Sequence, residues 1–216
     1  MLDGVKMALS LPAGASETDR AIEKWRNFPY SALSHHGLDC CEIAREWLIA
    51  MDFAQLNAAD PFTAPRWIRQ RYNWGPCQWS LYWCDAVRRK TLDCGALAAM
   101  AQEIFAARSV RSFPAQMIQK FNRDAAEQWE SKWDTAESST HWLADDLIYH
   151  EGCAVAINQQ EIKLWDASAG WWINPHQPTG YGSLTAVRVF AGQRPVNLTW
   201  GAHGLTSNQW EKIAQV

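Results

Sequence analysis

The sequence has little net charge and no long apolar runs. Its 20 Lys and Arg residues against 23 Asp and Glu residues give a formal charge of -3, with both signs interspersed. It therefore has no basic field for phosphates, which argues against nucleic acid as a partner. The N-terminal apolar stretch is broken and too short for a signal peptide, and no later segment is long enough to span a membrane. These absences predict a cytoplasmic protein whose partners include neither nucleic acid nor a membrane.

Paired metal-binding motifs are absent as well. The 6 cysteines lie at irregular positions, which is a poor arrangement for a disulfide framework. None of them shows the CxxC spacing of a zinc framework, and the histidines do not show HxxxH spacing. We therefore interpret the cysteines as reduced thiols and expect no cofactor. Two groups remain as alternative ligands of a structural zinc ion: His35, His36, Cys40 and Cys41, and separately Cys77 and Cys84.

Tryptophan, in contrast, is abundant, with 14 residues in a chain of 216. Many of these residues lie in stretches that contain Pro or Gly rather than at helical spacing. Tryptophan offers a large rigid surface with one N–H donor, so such a set is suited to lining a cleft for an organic group. The candidates for this cleft are Trp74, Trp171 and Trp172. The alternative is that these rings fill the core.

The hydrophobic pattern predicts helices first and strands later. Apolar residues recur at helical spacing between positions 17 and 54, a short helix ends near Tyr72, and the clearest helix runs from Cys94 to Arg108. Four extended runs follow, and the stretch 122–146 is either a helical insertion or a loop. This order predicts an α+β domain with an antiparallel sheet. We expect residues 1–60 to form an N-terminal helical extension and residues 61–216 to form the core.

Cys94 opens the clearest helix. A cysteine is a nucleophile as its thiolate, and the positive end of a helix favours that form. The small residues Gly95 and Ala96 would let a carbonyl group approach the backbone N–H groups at the helix start, which is the arrangement of an oxyanion hole. Asp93 would cap this helix but would also oppose a thiolate beside it. Cys94 is therefore the predicted nucleophile.

His150 and Asp166 supply the rest of a predicted triad. His150 begins the extended run HEGCAVAI, and Asp166 ends the run EIKLWD. A hairpin through residues 158–160 would place both on neighbouring strands, where the carboxylate can orient the imidazole. For Asp166, an alternative is that it caps a turn with Ser168.

Other residues compete for these roles. Cys40 also follows Leu-Asp and opens a helical pattern, but it is followed by Glu42 instead of small residues. His141 and His176 are the competing bases. His176 lies in the segment NPHQP, which could border the same cleft.

The segments around these residues resemble the transglutaminase-like superfamily of thiol acyltransferases, amidases and proteases, which is distantly related to papain. The resemblance covers roughly Pro65 to Val189. LDCGALAAMAQEIFAARSV is similar to the helix that carries the family's nucleophile, and SFPAQMI to the strand that follows it. YHEGCAVAI and IKLWDAS are similar to the strands that carry its His and Asp. The resemblance implies a catalytic helix packed on a small antiparallel sheet.

The resemblance also implies a second oxyanion donor upstream of Cys94, for which Gln78, Trp79 and Trp83 are the candidates. The sequence departs from the family at Gln116, where the family often has Arg. It also lacks the aromatic pattern directly after the His and has a long insertion before it. Because of these departures, the resemblance implies the superfamily and not any one subfamily.

The function implied by the resemblance is acyl transfer through a Cys94 thioester. An amide or peptide hydrolase would pass the acyl group to water, whereas an acyltransferase would pass it to an amine. The expected partner is a small-molecule, peptide or carrier-bound acyl substrate. The alternatives are a non-catalytic transglutaminase-like binding module and a structural zinc-binding protein.

Overall fold

The structure of the chain is a computed structural model. It describes residues 20, 33, 42–47, 60–77, 81–120, 122–130, 142–144, 146–159, 161–173, 183–191 and 194–199. Most of the predicted N-terminal extension lies outside these residues. Within it, positions 42–47 are helical, and Ala44 and Trp47 are buried there.

The structure describes four helices in the core region. They are α1 Arg66–Arg71, α2 Trp83–Ala86, α3 Cys94–Ala107 and α4 Arg123–Glu130. The predictions of a short helix ending near Tyr72 and of a longer helix opening at Cys94 are confirmed. The stretch 122–146 contributes α4 and, after it, a short strand. Among the described helices, none has the length and apolar character needed to cross a bilayer.

The strands in the described part of the chain form two sheets. Their bounds are β1 Asn73–Trp74, β2 Thr91–Leu92, β3 Ser112–Lys120, β4 Trp142–Ala144, β5 Leu147–Ala156, β6 Ile162–Asp166, β7 Trp171–Trp172, β8 Ser183–Ala191 and β9 Arg194–Thr199. The larger sheet has the order β7-β6-β5-β3-β8-β9, and β4 also pairs with β5. Its described pairings are antiparallel, as predicted. The mixture of helix and sheet is compatible with an α+β fold.

The small sheet differs from the sequence-based expectation. Asn73 and Trp74 precede the segments predicted as strands, yet they pair in parallel with Thr91 and Leu92. Parallel strands need a crossover connection, and α2 lies within it. The pair is only two residues long in each strand, too short to leave a periodic signal in the sequence. It leads the chain directly into Asp93 and the start of α3.

Helix α3 has a well-defined start. Asp93 adopts an extended backbone conformation, and its Oδ1 accepts a hydrogen bond of 2.9 Å from the Ala96 N–H. This is the N-cap arrangement that satisfies one of the free donors of a helix start. Alanine fills much of the helix and has the highest helix propensity. The capping role predicted for Asp93 is therefore confirmed.

The core of the protein lies between α3 and one face of the large sheet. Phe105 of α3 contacts Trp165 of β6 edge to face, with ring centroids 6.1 Å apart. On β5, Cys153 faces the same helix, and its Sγ lies 3.3 Å from the carbonyl oxygen of Ala98. The opposite face of the sheet buries a second apolar cluster that includes Met117. Both faces of the central strands are therefore covered.

The C-terminal end of α3 is closed by a serine in an uncommon backbone conformation. Ser109 has φ of 58°, the left-handed region that favours glycine. The N–H of Ser109 bonds to the Ala106 carbonyl, and the N–H of Val110 bonds to the Phe105 carbonyl. These two bonds form a Schellman motif, in which glycine is the usual residue at the left-handed position.

Replacing Ser109 with glycine should therefore stabilise the protein. We expect Ser109→Gly to raise the free energy of unfolding by about 0.5–1 kcal/mol, because it relieves the strain of the left-handed backbone. Denaturant unfolding measures this change. Ser109→Ala, which keeps the strained backbone, is the matched control and should bring no gain. A loss of stability in the glycine variant would contradict this account of the helix end.

Candidate active site

The site lies at an opening in the edge of β5. On the edge away from β3, β4 pairs with Leu147 and Ile148, and β6 pairs with residues 153–156. In the described sheet, neither register covers residues 149–152, which we call the edge gap. Cys94, at the start of α3, reaches this gap. Its thiol accepts a hydrogen bond from the backbone N–H of Glu151. Strand N–H groups lie close to the plane of the sheet, so the thiol stands at the sheet edge.

His150 and Asp166 meet beside this gap. The His150 Nε2 lies 3.0 Å from the Asp166 Oδ1, and both side chains are buried. The predicted hairpin between β5 and β6 brings them together. His150 stands inside β5 rather than at its start, because Leu147, Ile148 and Tyr149 already pair with β3. Residues before and after His150 therefore pair with β3, which fixes the backbone that carries the imidazole.

The Asp166 carboxylate is fixed by a turn. Its Oδ1 also accepts hydrogen bonds from the backbone N–H groups of Ser168 at 2.9 Å and Ala169 at 3.1 Å. The two roles weighed for this residue therefore coexist: it caps the turn after β6 and it contacts His150. A carboxylate held by two backbone donors has little freedom to rotate away from the imidazole.

The environment raises the pKa of His150. Burial alone would lower it, but the charge of Asp166, its hydrogen bond and the charge of Glu151 together outweigh burial. The imidazolium form therefore persists to a pH above the ordinary pKa of about 6.5. Because the folded pKa is raised, the stability gained from this charge is complete below about 6.5 and is lost as the pH rises through the folded pKa.

The pKa of Cys94 departs from the expectation of a helix-terminal thiolate. Burial raises it well above its usual value, the charges of Asp93, Glu151 and Asp166 raise it further, and the backbone N–H of Glu151 lowers it. The benefit of the helix end is reduced here because Asp93 caps it. The Ala96 N–H binds Asp93, so this donor is not part of the predicted oxyanion hole. This environment therefore disfavours the thiolate form of Cys94.

A buried polar network that the sequence reading missed lies next to Cys94. The Gln116 Nε2 donates to the Tyr149 hydroxyl at 2.7 Å, and that hydroxyl donates to the Glu151 carboxylate in a short hydrogen bond. Gln116 and Glu151 are direct partners across β3 and β5. Burial and the charge of Glu151 raise the pKa of Tyr149. The sequence signal that could have revealed this network is Glu151, an acidic residue within the apolar run of β5.

The remaining predicted site residues are more dispersed. Gln78 and Trp79 lie outside the described residues. Trp83 is buried and packs on Trp47 with centroids 5.6 Å apart.

The cleft candidates differ in exposure. Trp74 is half-buried on β1 against the core. Trp172 packs edge-on against Trp165, with centroids 5.0 Å apart, while Trp171 is 43% exposed. Of the three cleft candidates, Trp171 offers the most accessible indole surface.

The competing residues fall mostly beyond the described chain. Those outside it are His35, His36, Cys40, Cys41, His141 and His176. Cys77 and Cys84 are described and half-buried. Burial and the neighbouring Asp93 raise the pKa of Cys77 to about 12. Within the described ranges, no group of three or more His, Cys, Asp or Glu side chains has an arrangement that could hold a metal ion.

In comparisons with protein-family models, curated proteins and solved structures, nothing matched this chain. The functional argument therefore rests on the geometry around Cys94 and on the chemistry of the groups there.

Gly152 allows β5 and the end of β6 to lie close together. A Cβ at this position would lie 2.5 Å from the Trp165 carbonyl oxygen and 2.9 Å from the Met117 methyl carbon. We expect Gly152→Ala to lower the free energy of unfolding by about 1–3 kcal/mol, because β5 and β6 would have to move apart. Denaturant unfolding tests this expectation. Ala156→Ser, at the end of the same strand, should change stability by only about 0.5 kcal/mol.

The contact between His150 and Asp166 can be tested by titration. In the wild type, the pKa of His150 should lie above the ordinary value of about 6.5. In Asp166→Asn it should fall below that value, because burial then becomes the dominant influence. Imidazole signals followed by NMR across a pH series report both. An unchanged His150 titration in the variant would mean that the pair does not form in solution.

Proposed function

We propose that this protein is a cysteine-dependent acyl-transfer enzyme of transglutaminase-like type, with Cys94 as nucleophile, His150 as base and Asp166 as the residue that orients the base. The observation that carries the proposal is the buried contact between His150 and Asp166, beside the strand position that binds the Cys94 thiol. An imidazole oriented by a carboxylate next to a thiol at a helix start is the arrangement that nucleophilic thiol catalysis needs.

The reaction follows from these groups. His150 takes the proton of the Cys94 thiol, and the sulfur attacks the carbonyl carbon of an amide, ester or thioester. The oxyanion of the tetrahedral intermediate is stabilised by backbone N–H groups near the helix start. His150 then protonates the leaving amine, alcohol or thiol, and a thioester on Cys94 remains. Water releases the acyl group as an acid, whereas an amine acceptor releases it as an amide.

The fold is consistent with this proposal. Helix α3 packs on β5, and the nucleophile, base and orienting residue follow one another along the chain on α3, β5 and β6. We propose that this region is a transglutaminase/papain-like core. A reduced thiol at position 94 suits a cytoplasmic setting. The proposed substrate is a small-molecule, peptide or carrier-bound acyl group, and the exposed Trp171 indole offers it an apolar contact.

A non-catalytic binding module is the second candidate. The observation that favours it is the burial of Cys94, a residue that is only 4% exposed and whose pKa is raised. In that case, the site would hold a partner without forming a covalent bond.

Acylation of Cys94 separates the two candidates. The protein is incubated with a panel of activated acyl esters and thioesters, and peptide mass mapping locates any acyl adduct. We expect an adduct on Cys94 that forms about 10²–10⁴-fold more slowly in His150→Ala, because the general base is lost. Asp166→Asn should also slow acylation while keeping the fold.

Cys84→Ser serves as the control, since this half-buried cysteine on α2 has no part in the proposed chemistry. It should leave acylation of Cys94 unchanged. Equal acylation rates in the wild type and in His150→Ala would remove His150 from the mechanism. Absence of any adduct on Cys94, in a protein that binds the same compounds, would favour the binding module.

A further inference from the structure

The turn between β6 and β7, residues 166–170, closes on Asp166 in three places, and we call it the Asp166 turn. Two of its backbone N–H groups donate to the carboxylate Oδ1, at 2.9 and 3.1 Å. A third, the N–H of Gly170, donates to the Asp166 carbonyl oxygen at 2.8 Å. The same Oδ1 lies 3.0 Å from the His150 Nε2. The direction of the carboxylate therefore depends on the conformation of this turn.

Gly170 ends the turn in a conformation, and at a place, that suit glycine. Its φ is 77°, in the left-handed region where a residue with a Cβ is strained. A Cβ on Gly170 would also lie 3.1 Å from the Cβ of Arg69 and 3.5 Å from its Cγ. The first of these distances is shorter than carbon atoms prefer. Because Arg69 belongs to α1, a side chain at position 170 would push the Asp166 turn away from that helix.

Helix α1 is a firm support for this turn. Its Ile68 is fully buried, and its Trp67 packs edge-on against Trp47 with ring centroids 5.4 Å apart. Directly after the helix, the Tyr72 hydroxyl accepts a hydrogen bond from the Trp47 indole N–H at 2.8 Å and donates to the Val87 carbonyl at 3.3 Å. Packed elements of this kind transmit strain to their neighbours instead of absorbing it. A clash with α1 would therefore displace the turn more than the helix.

We propose that Gly170 is a positioning residue for the triad: its lack of a side chain lets the Asp166 turn pack directly on α1, and this contact holds the Asp166 carboxylate against His150. Gly170 acts through Asp166. The inference rests on the proposed function in one respect, that Asp166 orients a catalytic base. Displacement of the turn lengthens the contact between the carboxylate and the imidazole, and a misplacement of about 1 Å can slow catalysis about 10²-fold.

Adding a single Cβ tests this inference. In Gly170→Ala we expect the pKa of His150 to fall by about one unit, towards its value in Asp166→Asn, because the imidazolium loses part of its interaction with the carboxylate while burial still opposes it. NMR titration of the imidazole measures this shift in the folded protein, where a general loss of stability does not produce it. Acylation of Cys94 should slow about tenfold or more.

A second variant separates the contact from the backbone conformation. Asparagine adopts the left-handed conformation more readily than other residues with a side chain, but it carries a Cβ. If the contact with α1 positions Asp166, Gly170→Asn also lowers the pKa of His150. A wild-type titration in Gly170→Asn would assign the effect to the backbone conformation alone and would overturn the inference. Because asparagine is less strained at this φ, this variant also provides the test if Gly170→Ala does not fold.

Two controls should leave the His150 titration unchanged. Ser168→Ala keeps the backbone N–H that binds Asp166 and removes a hydroxyl that makes no hydrogen bond within the described chain. Ile104→Val removes a buried methyl group of α3 and so lowers stability without touching the turn. An equal fall of the pKa in Ile104→Val, or no fall in either Gly170 variant, would contradict the inference. Failure of the proposed function would instead appear as acylation that does not depend on His150.

Discussion

The contact between the His150 imidazole and the Asp166 carboxylate is the interaction on which the site depends. It joins β5 to the end of β6, and the turn after β6 binds the same carboxylate oxygen through two backbone N–H groups. The imidazole is therefore oriented by a group that is itself fixed. Gly152 makes this arrangement possible, because a side chain there would collide with the Trp165 carbonyl and separate the strands. In the proposed mechanism, His150 is a base with one preferred orientation, and the thiol that it serves lies on a different element.

The environment of the thiol opposes its ionisation. Burial and three carboxylates disfavour the thiolate, while the backbone N–H of Glu151 favours it. In a poorly solvated site, each of these influences is stronger than it would be in water. A substrate that excludes the remaining water would strengthen them further and would bring a carbonyl group that consumes the thiolate as it forms. On this view, reactivity belongs to the complex with substrate more than to the protein alone.

Much of this architecture can be read from the sequence, and the exceptions share a physical cause. Helix α3 and the β5–β6 hairpin are predictable because alanine content, a capping Asp93 and alternating apolar runs are local signals. The burial of Cys94 and its contact with Glu151 are not, because they depend on where β4 and β6 stop pairing with β5. The role of Asp166 was predicted as one of two alternatives, although a carboxylate has enough acceptor sites for both. The parallel pairing of β1 with β2 involves too few residues to leave a pattern.

The opening in the edge of β5 has a consequence for how the protein moves. Where a neighbouring strand would supply an acceptor for the Glu151 amide, the sulfur of a residue at the tip of α3 takes its place. The helix tip thus completes the sheet, as a short piece of strand would. Exposing the sulfur and breaking a hydrogen bond of the sheet edge are consequently a single event. In the proposed acyl-transfer function, entry of a substrate to the sulfur would therefore require a local opening of the fold.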